Sequence, residues 1–288
     1  MEKAEVVQFI TPDKCVLNGL WLGNQKAKTA FIFVHGLGSS VFSRQDVLPF
    51  GDSISSLYFN NRGHDQLTSI KVLNPDAENG YERKLGGEIH EIFTECAEDI
   101  QGAVDFLLSQ GVENIYLSGH STGCQKSIYY LSLKRNHKNI KGVVLICPMS
   151  DYAVARKFKS VYLGKATKYA KDLVNRGRPH ELMRRDLWPD ELIDAQRFIS
   201  LYTPDSPEEI FTYSHQEDEP IALSKVKIPT LVILANQDEY GDRPMKDIAS
   251  WFKKKSKSKS LDIQFIDSTH NLTGKEVEVK SLIKRWVN

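Results

Sequence analysis

One serine of this chain stands between two glycines, where a predicted strand meets a predicted helix. The residues Gly119-His120-Ser121-Thr122-Gly123 follow the apolar run NIYLS. On so tight a turn the serine hydroxyl is lifted above the sheet, and small residues two positions away avoid clashes with the strand and the helix. The serine also lies at a helix N-terminus, which favours negative charge. The pattern predicts Ser121 as a nucleophile, with an ordinary strand-to-helix turn as the alternative.

A serine hydroxyl needs a base, and the base needs an acid to orient it. With this kind of turn the chain order is serine, then acid, then histidine. Asp238 comes shortly after the apolar run LVILA, and His270 comes shortly after the run LDIQFI. Because functional sites gather at the carboxyl ends of strands in an open α/β sheet, we expect Ser121, Asp238 and His270 to converge. Glu239 and Asp242 compete for the acid role, and Asp238 is favoured since it comes first after the strand.

The negative charge that develops on a carbonyl oxygen during such a reaction needs N–H donors. One donor is the N–H of the residue after the nucleophile, Thr122, and the other comes from a loop after an earlier strand. The stretch FVHGLGSS fits this loop, and its glycine at position 36 allows the backbone to turn over the site. We therefore expect the Leu37 N–H to be the second donor, and a plain glycine turn is the alternative.

Strand and helix patterns alternate along the chain, which predicts an α/β fold with a mostly parallel central sheet flanked by helices. Short apolar runs rich in β-branched residues predict the strands, and three-to-four-residue apolar spacing predicts the helices. The strands are expected at 29–36, 56–60, 114–119, 142–147, 229–235 and, nearer the sheet edge, 261–267, after an antiparallel pair at 4–11 and 14–22. The helices are expected at 89–108, 122–135, 244–254 and 275–287.

One segment interrupts this alternation. Residues 151–224 contain no clear strand pattern and are rich in charge and in helix formers, which predicts a helical cap inserted between two strands of a core formed by 1–150 and 225–288. Between Asp151 and Asp186 there are ten Lys and Arg against four acids. A solvated helix face is the favoured explanation, and the alternative is that some of these cations face the pocket and attract an anionic substrate.

Several of these motifs resemble those of a known superfamily. VHGLG, NRGHD, GHSTG, the strand-end Asp238 and the late His270 together resemble the α/β-hydrolase superfamily, along the whole chain. GGEIHEIFTECAEDI, GHSTGCQ, ANQDEYGD and STHNL are similar to the branch that contains fungal siderophore (fusarinine-type) esterases, which cleave hydroxamate-siderophore ester bonds. The family usually has Gly where this chain has Ala235. The resemblance implies an α/β-hydrolase fold and a serine esterase.

Composition argues against other classes of function. The 288 residues carry 38 Lys and Arg and 37 Asp and Glu, so net charge gives no case for binding nucleic acid or an anionic membrane. No apolar run approaches the roughly 18 residues that a membrane span needs. The beginning of the chain lacks a signal-peptide pattern, and the four cysteines are scattered, so we expect a cytoplasmic protein with reduced thiols. GLGSSV lacks the third glycine of a dinucleotide loop, and HEIFTE lacks the second histidine of a zinc-protease helix.

The sequence thus predicts a serine hydrolase that cleaves a small-molecule carboxylic ester through an acyl-enzyme, with no metal or organic cofactor. An amidase, a thioesterase and an acyltransferase would use the same three residues, so these alternatives stay open. A non-catalytic binding protein on a hydrolase scaffold is a further alternative, against which the retention of all three residue types argues. The pattern favours no oligomeric state.

Overall fold

The computed structural model describes residues 4–42, 53–133, 137–215 and 218–287. Ten strands in these ranges form one sheet. They are β1 (Ala4–Ile10), β2 (Cys15–Leu22), β3 (Thr29–Val34), β4 (Ile54–Phe59), β5 (Thr68–Leu73), β6 (Tyr81–Gly86), β7 (Asn114–His120), β8 (Ile140–Ile146), β9 (Thr230–Ala235) and β10 (Leu261–Ile266).

The sheet is parallel in one half and antiparallel in the other. Its order is β10-β9-β8-β7-β3-β4-β2-β5-β6, with β1 paired to β2. The strands from β10 to β4 run parallel, whereas β2 is antiparallel to β1, β4 and β5, and β5 is antiparallel to β6. Every residue of β9 is buried, which explains its continuous apolar run, and the partly exposed β10 is the edge strand that the sequence predicts.

Helices cover both faces of the sheet. They are α1 (Cys96–Ser109), α2 (Thr122–Ser132), α3 (Asp151–Phe158), α4 (Ser160–Asn175), α5 (Ala195–Tyr202), α6 (Ile221–Lys225), α7 (Met245–Lys255) and α8 (Glu276–Val287). One apolar cluster joins the sheet to α1, α2 and α7, and a second joins the other face to α8 through Ile283. No helix in the described ranges is both long and apolar enough to cross a membrane.

The segment 151–224 contains α3, α4, α5 and all of α6 except its last residue, Lys225; these helices follow β8 and precede β9. A third apolar cluster, around the buried Trp188 and Phe198, packs within this segment. Leu37, from the loop after β3, is partly buried against the same cluster. The helices therefore lie over the loop that is expected to supply an N–H donor, while the division into a core and a cap stays a prediction.

Two elements differ from the sequence prediction. The helix expected over 89–108 begins only at Cys96, because the Ile89 N–H donates to the Gln66 carbonyl at 3.1 Å and the Ile89 carbonyl accepts from the Asp194 N–H at 3.1 Å. The second of these long-range bonds uses the Ile89 carbonyl, which a helix beginning there would need as an acceptor. The sequence does not predict the hairpin of β5 and β6, since these partly exposed strands show little apolar alternation. Of the helix expected over 122–135, positions 134 and 135 lie outside the described residues.

Candidate active site

Ser121 occupies a strained turn between β7 and α2. Its backbone angles are φ 55° and ψ −127°, a conformation that costs a residue with a side chain about 1–3 kcal/mol. The Ser121 N–H donates to the Ile146 carbonyl at 3.0 Å, which ties the turn to the neighbouring strand β8. A methyl group at Gly119 would lie 2.2 Å from the Gly123 carbonyl oxygen, and one at Gly123 would lie 2.1 Å from the Val34 oxygen. Both glycines are therefore required by close backbone approach.

His270 and Asp238 meet at the carboxyl ends of β10 and β9. His270 is 3% exposed, and its Nδ1 lies 2.8 Å from Asp238 Oδ2. A ring nitrogen this close to a carboxylate carries the proton, so in the neutral imidazole the other nitrogen, Nε2, is left as an acceptor. Glu239 instead accepts the His270 backbone N–H at 2.9 Å, and Asp242 pairs with Arg243 at 2.7 Å. Of the three acids considered from the sequence, Asp238 alone contacts the His270 ring.

The side chains of His120 and Tyr240 also contact His270. His120 Nε2 lies 3.0 Å from the His270 carbonyl oxygen, and because a carbonyl only accepts, Nε2 is the donor. The Tyr240 ring packs edge-on against the His270 ring, with 4.9 Å between their centres. His120 therefore packs against His270 and holds its backbone, and Tyr240 is a contact for which the sequence offered no signal.

The Ser121 hydroxyl is not bonded to the His270 ring. Its Oγ donates to Met149 Sδ at 3.5 Å, and within the described part of the chain there is no hydrogen bond from Oγ to His270 Nε2. Catalytic hydrogen bonds are often long or misaligned without substrate, so a rotation about the serine Cα–Cβ bond is the change that the chemistry would require. Met149 was not expected from the sequence, since a thioether three residues after β8 carries no catalytic signal.

The loop after β3 is pressed against Ser121. A methyl group at Gly36 would lie 2.9 Å from Ser121 Cβ. The loop is fixed by His35, whose Nδ1 donates to the Gly36 carbonyl at 2.9 Å and whose Nε2 accepts the Asn61 N–H at 3.2 Å. Burial and the charge of Lys126 lower the pKa of His35 to about 3, so this ring stays neutral and keeps both bonds.

The two expected N–H donors belong to the residues that follow Gly36 and Ser121, which lie against each other. Leu37 follows Gly36, and Thr122 is the first residue of α2. Neither backbone N–H donates to an acceptor in the parts of the chain that the structure describes. The first N–H groups of a helix have no partner within the helix, so the Thr122 N–H is free to bind an external oxygen.

A cavity of about 670 Å³ opens above these residues. Ser121 and His270 line it from the sheet side, and Leu37 lines it from the loop after β3. The segment 151–224 completes the wall with residues that include Asp151 and Tyr202. A cavity of this size suits a small-molecule ligand rather than a folded partner.

Buried charges join the segment 151–224 to the rest of the molecule. Glu91, from the chain before α1, lies 2.5 Å from Lys126 Nζ on α2 and 2.9 Å from Arg197 NH2 on α5. Arg197 also pairs with Glu208, and all four side chains are at most 1% exposed. Burial alone would raise the pKa of Glu91, but Lys126 and Arg197 hold it below its ordinary value.

Two side-chain groups in the described residues have the composition of a metal site. His90 and His180 place their Nδ1 atoms 2.9 and 2.8 Å from the same oxygen of Asp194. The other Asp194 oxygen accepts the Arg197 N–H at the start of α5, so this carboxylate already has a structural role. The second group combines Cys147 with Asp238 and His270, and it includes the hydrogen-bonded pair described above.

Known structures share this architecture. The siderophore hydrolase EstB from Aspergillus fumigatus superposes with a TM-score of 0.63 at 16% identity, over 98% of this chain and 96% of that one. The esterase Pf2001 from Pyrococcus furiosus gives 0.58 at 17%, over 99% and 90%. A protein described as an alpha/beta hydrolase fold protein of unknown function gives 0.68 at 15%, over 99% and 95%.

The chain therefore has the α/β-hydrolase fold, as the motifs predicted, and a fungal siderophore hydrolase is among the structures similar to it. By sequence, residues 93–287 match the family described as "Protein of unknown function (DUF1749)", and the chain belongs to this family. No curated protein matches the chain.

Proposed function

We propose that this protein is a serine hydrolase that cleaves a small carboxylic ester through an acyl-enzyme. The observation that carries the proposal is the pair of His270 Nδ1 and Asp238 Oδ2, 2.8 Å apart and lining, through His270, the same cavity as the strained Ser121. The esterases and hydrolases among the similar structures support an ester rather than another acyl bond.

In this mechanism each group has one task. Ser121 Oγ attacks the ester carbonyl while His270 Nε2 takes its proton, and Asp238 holds the ring and stabilises its positive charge. The Leu37 and Thr122 N–H groups bind the oxyanion. The proton passes from His270 to the departing alcohol, and water then attacks the acyl-enzyme with His270 as base, which releases the acid and restores the serine.

The segment 151–224 acts in this proposal as a cap that closes the cavity over the substrate. The four cysteines are buried and free, which supports the reduced, cytoplasmic protein expected from their scattered positions. Amide, thioester and acyl-transfer substrates would use the same groups, so a panel that varies only the scissile bond separates them.

The test is a fluorophosphonate probe, which labels an activated serine. We expect labelling of the wild-type protein and none of Ser121→Ala, together with a loss of kcat on the order of 10⁶, since these residues act as a unit. Ser127→Ala is the matched control, because Ser127 lies on α2 and donates to the Gly123 carbonyl at 2.8 Å. A folded Ser121→Ala protein that keeps its esterase activity would contradict the assignment.

A further inference from the structure

Two histidines and one aspartate meet where the segment 151–224 packs against the chain before α1. His90 comes from the chain before α1, His180 lies between α4 and α5, and Asp194 directly precedes α5. Their two Nδ1 nitrogens and one carboxylate oxygen all lie within 4.8 Å of one another. Of the described residues that line the active-site cavity, none belongs to this group, so the proposed hydrolysis leaves it without a role.

Backbone hydrogen bonds fix the three residues relative to one another. The Asp194 N–H donates to the carbonyl of Ile89, the residue before His90, at 3.1 Å. The two carbonyls on either side of His180 accept the first two N–H groups of α5, each at 2.9 Å. The main chain therefore brings the three side chains together, and a site held in this way is preorganised for a ligand.

Asp194 carries a buried charge with no lysine or arginine beside it. Its side chain is 0% exposed, and in the described part of the chain its ion pairs are with the two histidines alone. The side chain of Arg197 pairs with two glutamates instead. A buried charge is normally paired or bound to a metal. Asp194 Oδ2 thus faces two imidazoles, the commonest metal ligands, and offers the charge that a cation would neutralise.

The distances need little change to admit an ion. Two ligands of one tetrahedral Zn²⁺ ion lie about 3.4 Å apart, because each is about 2.1 Å from the metal. Asp194 Oδ2 lies 2.9 Å from the Nδ1 atom of His90 and 2.8 Å from that of His180. A small opening of the group is therefore enough. The His180 side chain is 56% exposed, so an ion can enter from solvent and water can complete its coordination.

We propose that His90, His180 and Asp194 bind one divalent transition-metal ion such as Zn²⁺. Each neutral ring then uses Nδ1 as a ligand and carries its proton on Nε2. Two imidazoles and a carboxylate favour such an ion over Mg²⁺ and Ca²⁺, which prefer oxygen ligands. The Arg197 N–H, which donates to Asp194 Oδ1 at 2.7 Å, orients the carboxylate as outer hydrogen bonds do around metal sites.

The ion would be structural, because the acid next to His90 is already committed to other partners. HEIFTE has the first histidine of a zinc-protease helix but not the second, and here the second imidazole comes from His180. Glu91, the acid of that motif, pairs with Lys126 and Arg197 and is not free to act as a base. The ion therefore ties the segment 151–224 to the chain before α1, and the proposed ester cleavage still needs no metal.

The first test is calorimetric titration of Zn²⁺ into chelator-treated, full-length protein. We expect one ion to bind per chain. Excess Zn²⁺ should raise the unfolding midpoint by a few degrees, because an ion that binds only the native state stabilises it. EDTA should reverse this shift, and Mg²⁺ should not produce it. If the wild-type protein binds no Zn²⁺ at millimolar concentration, the proposal is wrong.

His90→Asn and His180→Asn show whether the ion uses this site. The amide N–H of asparagine can take the place of the Nδ1–H donor to Asp194, so each variant keeps the hydrogen bond and loses the imidazole ligand. Each should weaken Zn²⁺ binding at least about tenfold, the effect of losing even a group that supports a metal ligand. His64→Asn is the matched control and should keep the wild-type affinity, since His64 Nδ1 pairs with Asp65 Oδ2 alone, at 2.8 Å.

Zn²⁺ that binds equally well to both asparagine variants must lie elsewhere, and this result overturns the proposal. Co²⁺ gives a second readout, because imidazole ligands change its visible absorption from that of the aqueous ion. His180→Asn should alter the spectrum of the Co²⁺-loaded protein, and an unchanged spectrum contradicts the site. These measurements do not depend on catalysis, so Ser121→Ala protein should bind Zn²⁺ as the wild type does, whether or not the proposed hydrolase function holds.

Discussion

Ser121 lies at the carboxyl end of the central strand β7, and the segment 151–224 lies over it. Different interactions hold these two regions in place. Around Ser121, the strands β7 and β8 are buried among apolar residues, and backbone hydrogen bonds fix the turn between β7 and α2. The contact between the overlying helices and the rest includes the fully buried charges of Glu91, Lys126 and Arg197. Apolar packing tolerates small shifts, whereas a buried charge that loses its partner is strongly penalised. One substitution can therefore disturb the geometry around Ser121, and a different one can disturb the position of the segment 151–224.

After the loss expected for Ser121→Ala, the largest effect is expected from a change at Asp238, the residue proposed as the acid. Asp238→Asn keeps the size of the side chain but presents the wrong hydrogen-bonding partner to His270 Nδ1, so kcat should fall by about 10⁴ with stability nearly unchanged. Glu239→Gln and Asp242→Asn are the controls, because Glu239 accepts only a backbone N–H of His270 and Asp242 pairs with Arg243. Steady-state kinetics of the three variants would reject our choice if Asp242→Asn were the damaging change.

The next effect concerns the buried charges. Lys126→Met leaves Glu91 Oε1 without its cation in a fully buried position, which should lower the free energy of unfolding by about 3–5 kcal/mol. Lys28→Met is the matched control, since its pair with Glu113 is more than half exposed on both sides, and it should cost less than about 1 kcal/mol.

Urea unfolding of both variants measures this difference. Adding Glu91→Leu to Lys126→Met should recover part of the loss, because the unpaired carboxylate is then removed. Equal stability of Lys126→Met and Lys28→Met would mean that apolar packing, rather than the buried charges, holds the segment 151–224 in place.

The last effect depends on pH. Burial, and then the charge of Glu208, raise the pKa of Asp151 from 3.8 to about 8, against the opposing effect of Gln125. Between these two values the native carboxyl keeps a proton that the unfolded chain releases, so this group lowers stability as pH rises from about 4 to 8. Asp151→Asn keeps the oxygen that accepts from Gln125 and removes the titration.

Unfolding midpoints of wild type and Asp151→Asn should therefore diverge as pH rises through this range, with the variant gaining relative stability and the difference levelling off above pH 8. The difference between the two proteins cancels the titration of groups common to both. A constant difference from pH 5 to 9 would mean that Asp151 has an ordinary pKa.

The sequence by itself determined the elements whose signals are local. The turn at Ser121 requires glycines at fixed positions, and the buried parallel strands are short continuous apolar runs, so both are visible without knowledge of the rest of the chain. The order of Ser121, Asp238 and His270 along the chain also predicted that they would meet at one edge. Their catalytic roles stay predictions.

The tertiary structure alone decided the features that depend on distant partners. Asp238 and Glu239 are neighbours of the same charge, and their different contacts with His270 follow from how the loop after β9 meets the loop after β10. The helix that begins at Cys96 starts late because a long-range hydrogen bond takes a backbone carbonyl before it. The carboxyl groups that line the cavity, which include those of Glu88 and Asp151, come from positions far apart in the chain. Burial and charge pairing depend on distances between such residues, and a linear pattern does not contain those distances.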